Sequence, residues 1–275
     1  ADAAWQLSKV TDMASTVRYI SLALGSDDRP QISFYDAATE DLRYARWTGA
    51  TWELQTVDSN GNVGEGCSLA LDAADLPHLS YYAYDGVRGA LRYATWDGVT
   101  GHPWTSHVAD DTADVGGYTS IALDSAGRPV ISYRDFTHGD LKLARWTDAG
   151  PTHRAAGPAA WQIETVDAAG DVGAYTSLAL DSQDRPQIVY LDLSNSALRH
   201  ARQTGEVWRI GEVDRAGRVG EYSSLIFAAG QPHIAYYDAA RAQLKHATRL
   251  ADRWYHETVD ANPGAGLYAS LAADE

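Results

Sequence analysis

Glu65 and Glu221 stand at matching places in a repeated sequence pattern, each three residues before a serine. A pair of carboxylates can cleave a glycosidic bond, one acting as general acid and the other as nucleophile or base, when their separation suits the task. Arg134 can grip a carboxylate through two parallel hydrogen bonds, and His138 can titrate near neutral pH. These four are the candidate catalytic residues. After the glutamate position the copies carry Tyr19, Tyr118, Tyr175, Tyr222 and Tyr268, with Gly66 as the exception. Arg18 takes the glutamate's place in the first copy. Tyrosines arranged around an axis can stack on a sugar and hydrogen-bond to it. Arg18 and the five tyrosines are therefore the candidate ligand-binding residues. The competing reading is that the tyrosines plug a central channel. Gly66 is expected to open a pocket beside Cys67.

Metal chemistry has one candidate place. Asp58, Asn60 and Asn62 alternate like the start of a calcium loop. The distal bidentate glutamate is missing, and the copy at Asp214 has Arg218 where Asn62 stands. A plain turn is expected there and no cofactor is assigned, with calcium as the alternative. The histidines show no metal-ligand spacing. His78 and His233 align with Gln31 and Gln187, and His200 and His246 align with Tyr44 and Tyr93, which suggests hydrogen-bonding and packing roles. Motifs for a serine-hydrolase elbow, a zincin helix, a phosphate loop or a redox dithiol do not occur.

The elements that must position these residues follow from a repeat. A tryptophan precedes a serine by sixteen residues in six places, at Trp5, Trp52, Trp104, Trp161, Trp208 and Trp254. The serines lie 47, 52, 57, 47 and 46 residues apart. Each unit holds four strand signals, as in SLALD from Ser177, QIVYLD from Gln187, LRHAR from Leu198 and WQIETVD from Trp161. Alternation and β-branched or aromatic residues mark them as half-buried strands. A four-strand period suits a propeller blade, whose sheet packs face to face on near-identical neighbours.

The expected fold is all-β: a single β-propeller over residues 1–275, with five four-stranded blades or, alternatively, six. The blade repeats run 21–67, 68–119, 120–176, 177–223 and 224–269. Spare strands at 5–10 and 270–273 would be the outer and inner strands of a sixth blade lacking its middle two. In such a meander, the connections from strand four to strand one and from strand two to strand three share one face, which is the expected ligand face. His138 falls on it. The insertions Asp97 to Pro103 and Asp148 to Ala160 fall on the other, with His102 and His153. The tryptophans should cover the outer flank of their own blades. The aspartates ending strand two, such as Asp135 and Asp192, should cap turn amides. Arg134 has Asp135 or Asp192 as its expected partner should it be structural.

The strand pattern resembles bacterial propellers with SLALDxxGxPHISYYD-type blades and, more distantly, the NHL-type blade. The resemblance implies a fold and no activity. The net charge of −15 repels phosphate backbones, so nucleic acid is not an expected partner. No apolar run is long enough for a membrane helix. The chain opens at Ala1, which suggests a secreted or extracytoplasmic protein. The favoured function is binding of a glycan or small polar ligand at the axial face. The alternatives are a propeller hydrolase or lyase with one asymmetric axial site, and a protein-interaction scaffold. An oligomer is compatible with all three.

Overall fold

The computed structural model describes residues 7–11, 16–147 and 161–273, and no helix occurs among them. Twenty strands form five sheets, each of four antiparallel strands in chain order. Blade one is β1 (Val17–Leu24), β2 (Pro30–Asp36), β3 (Asp41–Trp47) and β4 (Trp52–Asp58). Blade two is β5 (Asn62–Leu71), β6 (Pro77–Tyr84), β7 (Gly89–Thr95) and β8 (Thr105–Asp110). Blade three is β9 (Val115–Leu123), β10 (Pro129–Asp135), β11 (Asp140–Trp146) and β12 (Trp161–Asp167). Blade four is β13 (Ala174–Leu180), β14 (Pro186–Asp192), β15 (Ala197–Thr204) and β16 (Val207–Asp214). Blade five is β17 (Val219–Ala228), β18 (Gln231–Asp238), β19 (Gln243–Leu250) and β20 (Arg253–Asp260). The inner strands β1, β5, β9, β13 and β17 pack on one another in that order. The chain is a β-propeller.

The repeated residues hold each blade to the one before it. The serine of each inner strand accepts the N–H of the next inner strand: Ser21 from Leu69 at 3.0 Å, Ser68 from Ile121 at 3.2 Å, Ser120 from Leu178 at 3.0 Å and Ser177 from Leu225 at 2.9 Å. One residue earlier, a side chain donates back to a carbonyl of the preceding blade. Thr119 reaches Gly66, Thr176 reaches Tyr118 and Ser223 reaches Tyr175. Cys67 does the same through Sγ to the Tyr19 carbonyl, and burial pushes its thiol up to about 12. Each such bond keeps a buried backbone group satisfied where no sheet ladder reaches it.

Several expectations need correction. Strand one of every blade begins upstream of its serine, as at Asn62 before Ser68, so the sheets do not start at the repeat boundaries 21, 68, 120, 177 and 224. Residues 7–10 and 270–273 are in no strand. The tryptophans bridge blades as well as covering their own flank: Trp104 meets Tyr44 of blade one at 5.1 Å, and Trp161 meets Tyr93 of blade two at 5.6 Å. Residues 97–103 do join strands three and four. The insertion at 148–160, with His153, lies outside the described residues.

Candidate functional site

The axial tyrosines rest on an unusual backbone. Each inner strand slips register against strand two just before its serine, as between Arg18 and Ser21 or between Glu221 and Ser224. Such a bulge re-aims one side chain. Tyr19, Tyr118, Tyr175, Tyr222 and Tyr268 all sit at φ between 52° and 57°. That left-handed region costs an ordinary residue roughly 1–2 kcal/mol, so the surrounding blades must impose it. Gly66 has φ 61°, so it keeps the same backbone and omits only the side chain.

The omission divides the axis into two parts. Along one arc the rings pack against one another in tilted or edge-to-face contact, with centroids 4.8 Å apart for Tyr118 and Tyr175, 4.8 Å for Tyr175 and Tyr222, and 4.3 Å for Tyr222 and Tyr268. Between Tyr19 and Tyr118 the ring is missing. A cavity of about 500 Å³ opens there, lined by Tyr19, Glu65, Gly66, Tyr82, Asp114, Gly117, Tyr118 and Phe136. It is the size of a small-ligand pocket and combines several aromatic faces with two carboxylates.

The two carboxylates are held differently. Asp114, in the β8–β9 connection, accepts the Tyr82 hydroxyl at 2.8 Å and the Gly89 N–H at 3.2 Å. Its own N–H donates to Thr137 Oγ1 at 3.0 Å. Among the described residues, the Glu65 side chain makes no hydrogen bond or ion pair, so its carboxylate is free to meet a ligand. Burial, and after it the Glu65 charge, push the Tyr19 hydroxyl above its usual range. Burial and the Asp114 hydrogen bond do the same to Tyr82. Both phenols therefore stay protonated and can donate hydrogen bonds at neutral pH.

The remaining expected site residues fall elsewhere. Glu221 is 7% exposed and paired with Arg218 at 2.5 Å, and it does not line the cavity with Glu65. Arg134 pairs with Asp171, the cross-blade neighbour, and neither Asp135 nor Asp192 is its partner. Its guanidinium lies 5.6 Å from the Phe136 ring centre, so it backs the cavity wall. His138 binds Asp135 at 2.9 Å in the β10–β11 turn and does not line the cavity. Arg18 is exposed beside Tyr19. Cys67 is buried behind the pocket. Asp58 accepts from the Asn60 N–H, the Tyr81 hydroxyl and Arg92, so the turn spends its carboxylate on protein donors. The histidines hydrogen-bond within the framework: His78 to Tyr93 at 2.6 Å, His200 to Gln187 at 2.9 Å and His233 to His246 at 3.0 Å. Asp135 caps its turn amides as expected, accepting the N–H groups of Thr137 and His138.

Sequence reasoning missed Asp114, Phe136 and the part Tyr82 plays in the wall. A signal existed. Asn62, Asp114, Asp171 and Arg218 occupy one column of the repeat, four residues after the aspartate that ends each outer strand. Three of its members reach toward the axis, to Tyr82, Arg134 and Glu221. A second cavity, of about 400 Å³, is lined by Asp181, Arg185, Arg249 and Asp252 among others. Its charges are mutually paired, Arg185 with Asp181 and Arg249 with Asp252, each at 2.7 Å.

No family model matches the chain, and no curated protein does. Solved structures do. A protein of unknown function from Dyadobacter fermentans superposes with a TM-score of 0.62 at 12% identity, covering 83% of this chain and 74% of that one. An α-L-arabinofuranosidase from Fusarium graminearum, solved with an iminosugar inhibitor, gives 0.59 at 12% identity over 94% and 85%. A thermostable family-43 glycoside hydrolase gives 0.53 at 9% identity over 91% and 95%. At such identities the likeness concerns the fold alone.

Proposed function

We propose that the cavity at Gly66 is a saccharide-binding site. The observation that carries this reading is the local loss of one ring from an otherwise contiguous series of tyrosines, which leaves a pocket of ligand size between Tyr19 and Tyr118. Sugar rings present apolar C–H faces and polar edges, and this wall offers aromatic faces with hydroxyl and carboxylate edges. Protonated Tyr19 supplies a donor and Glu65 an acceptor. The protein would meet its glycan outside the cytoplasm.

A second reading, glycoside hydrolysis, rests on the placing of Glu65 and Asp114 in one cavity. Two solved structures that share the fold are a glycoside hydrolase and an arabinofuranosidase, which favours the same class here. Asp114, locked by Tyr82 and Gly89, suits a fixed charge or base, and unpaired Glu65 suits proton transfer. Titration calorimetry against a panel of neutral and acidic oligosaccharides, with aryl-glycoside turnover measured alongside, tests both. Saturable binding that survives Glu65→Gln while turnover vanishes marks a hydrolase. Binding without turnover in the wild type leaves the binding site alone. No binding at millimolar saccharide removes both.

A further inference from the structure

The axis has a sixth position that holds two pieces of one blade. Residues 266–271 are in no strand, yet they repeat the contacts an inner strand makes with the preceding blade. Tyr268 packs its ring against Tyr222 at a tilt, and the Leu271 N–H donates to Ser224 Oγ at 3.1 Å. Gly266 lies so close to blade five that an added Cβ would meet Leu244 Cα at 2.8 Å, as Gly173 does with Leu141 at 3.0 Å. The other end shows the matching outer piece. Trp104 Nε1 donates to Gln55 at 2.8 Å and Trp208 Nε1 to Glu164 at 3.1 Å, each a residue of the preceding outer strand. Trp52 Nε1 donates in the same way to Ser8 Oγ at 3.4 Å. Ser8 follows Trp5 at the spacing by which Gln55 follows Trp52.

Strands two and three of that blade have no counterpart among the described residues, and both flanks of the gap are bare. Leu22 is 60% exposed, whereas its equivalents Leu69, Ile121, Leu178 and Leu225 are 4–7% exposed. Val259 is 58% exposed, whereas Val57, Val166 and Val213 are 5–9% exposed. Beside the inner piece, an apolar groove of about 290 Å³ runs along Leu244, Val259, Leu267 and Leu271.

A repeated clamp says what fits. The aspartate ending each outer strand accepts a tyrosine hydroxyl from strand two of the next blade and a cation from its strand three. Asp58 takes Tyr81 at 2.8 Å and Arg92 at 3.0 Å; Asp110 takes Tyr133 at 2.6 Å and Lys142 at 3.0 Å. Asp167 takes Tyr190 at 2.6 Å and Arg199 at 3.5 Å; Asp214 takes Tyr236 at 2.7 Å and Lys245. Asp260 holds only the N–H of Asn262 among the described residues. Blade one confirms the register by exception. Phe34 stands in its tyrosine position, and the residue six after Trp5 is Thr11, so hydroxyl donor and carboxylate acceptor are lost together.

We infer that the sixth position is a docking slot for one β-hairpin of the blades' own strand-two and strand-three pattern. Such a hairpin carries a tyrosine on its first strand and Arg or Lys on its second, both directed at Asp260. It would cover Val259 and Leu22 and restore the interface that the chain builds four times over.

The test adds a synthetic peptide of residues 184–204, which carries Tyr190 and Arg199, to the chain of residues 1–275. Fluorescence anisotropy and thermal melting are read, with multi-angle scattering for mass. One peptide per chain should bind saturably and raise the melting temperature with concentration. Asp260→Asn in the chain, or Tyr190→Phe in the peptide, should weaken binding about tenfold, and combining them should cost little more. Leu22→Arg on the opposite flank, exposed in the free chain, should weaken it independently. No binding at millimolar peptide overturns the slot. So does binding indifferent to both Asp260→Asn and Leu22→Arg. A chain that dimerises through these residues would make a second copy the occupant and overturn the hairpin.

Discussion

The arc from Tyr118 to Tyr268 and the corner at Gly66 share one backbone and differ in what fills it. In both, the bulge holds a residue at positive φ and the same inter-blade bonds lock it. In the arc that residue is a ring packed against its neighbours. At the corner it is hydrogen, and Tyr19, Tyr118 and Phe136 face a space. The difference teaches that framework and site are separable. The blades specify where a side chain must point, and a single deletion of that side chain makes a pocket without altering the scaffold.

If framework and site are separable, variants in each should fail in different assays. Trp161→Ala removes an inter-blade ring packed against Tyr93 and Trp146. It should cost about 3–5 kcal/mol in chemical denaturation, with saccharide affinity unchanged in the molecules that remain folded. An unchanged denaturation midpoint would contradict the bridging role. Gly66→Tyr is the reverse case. Gly66 already holds the positive φ that the tyrosines adopt in the other copies, and a Cβ there meets nothing nearer than 3.4 Å. Stability should fall by no more than the roughly 1–2 kcal/mol that this φ costs a side chain, while saccharide affinity drops about 100-fold, near 2.7 kcal/mol. Undiminished binding in calorimetry would move the site elsewhere.

Acid should strike the framework. His200 is buried, and burial lowers its pKa to about 3. An unfolded histidine titrates near 6.5. Between those values only the unfolded chain binds the proton, so stability rises with pH across the window and is lost as pH falls. From pH 7 to pH 5 the loss should be about 2 kcal/mol, at 1.36 kcal/mol per unit. His200→Tyr, which restores the residue of blades one and two, should flatten that slope in urea titrations. The smallest contrast is between two tyrosines. Tyr118→Ala should weaken saccharide binding by about 1 kcal/mol. Tyr175→Ala, away from the cavity, should leave binding intact and lower stability by a similar amount.

The four-stranded repeat was legible because Trp and Ser recur at fixed spacing for a physical reason: the indole packs on the previous blade and the hydroxyl accepts the next blade's amide. The Gly66 opening was legible for the same reason, as a departure among copies. Partners across the axis were not. Glu221 finds Arg218 close by in sequence, but Arg134 finds Asp171 and Tyr82 finds Asp114 across a blade boundary. Bulges set those pairings, and a bulge leaves no mark in a pattern of alternating residues. The tryptophan's reach into the neighbouring blade was hidden likewise, since spacing within a blade says nothing of how the next one leans on it.

The serine bonds all run the same way, each amide donating to the hydroxyl of the blade synthesised just before it. An emerging blade thus meets acceptors already in place on the ribosome-distal side. Growth can proceed by successive addition at one end, with no need for the last blade to be made before the first is locked.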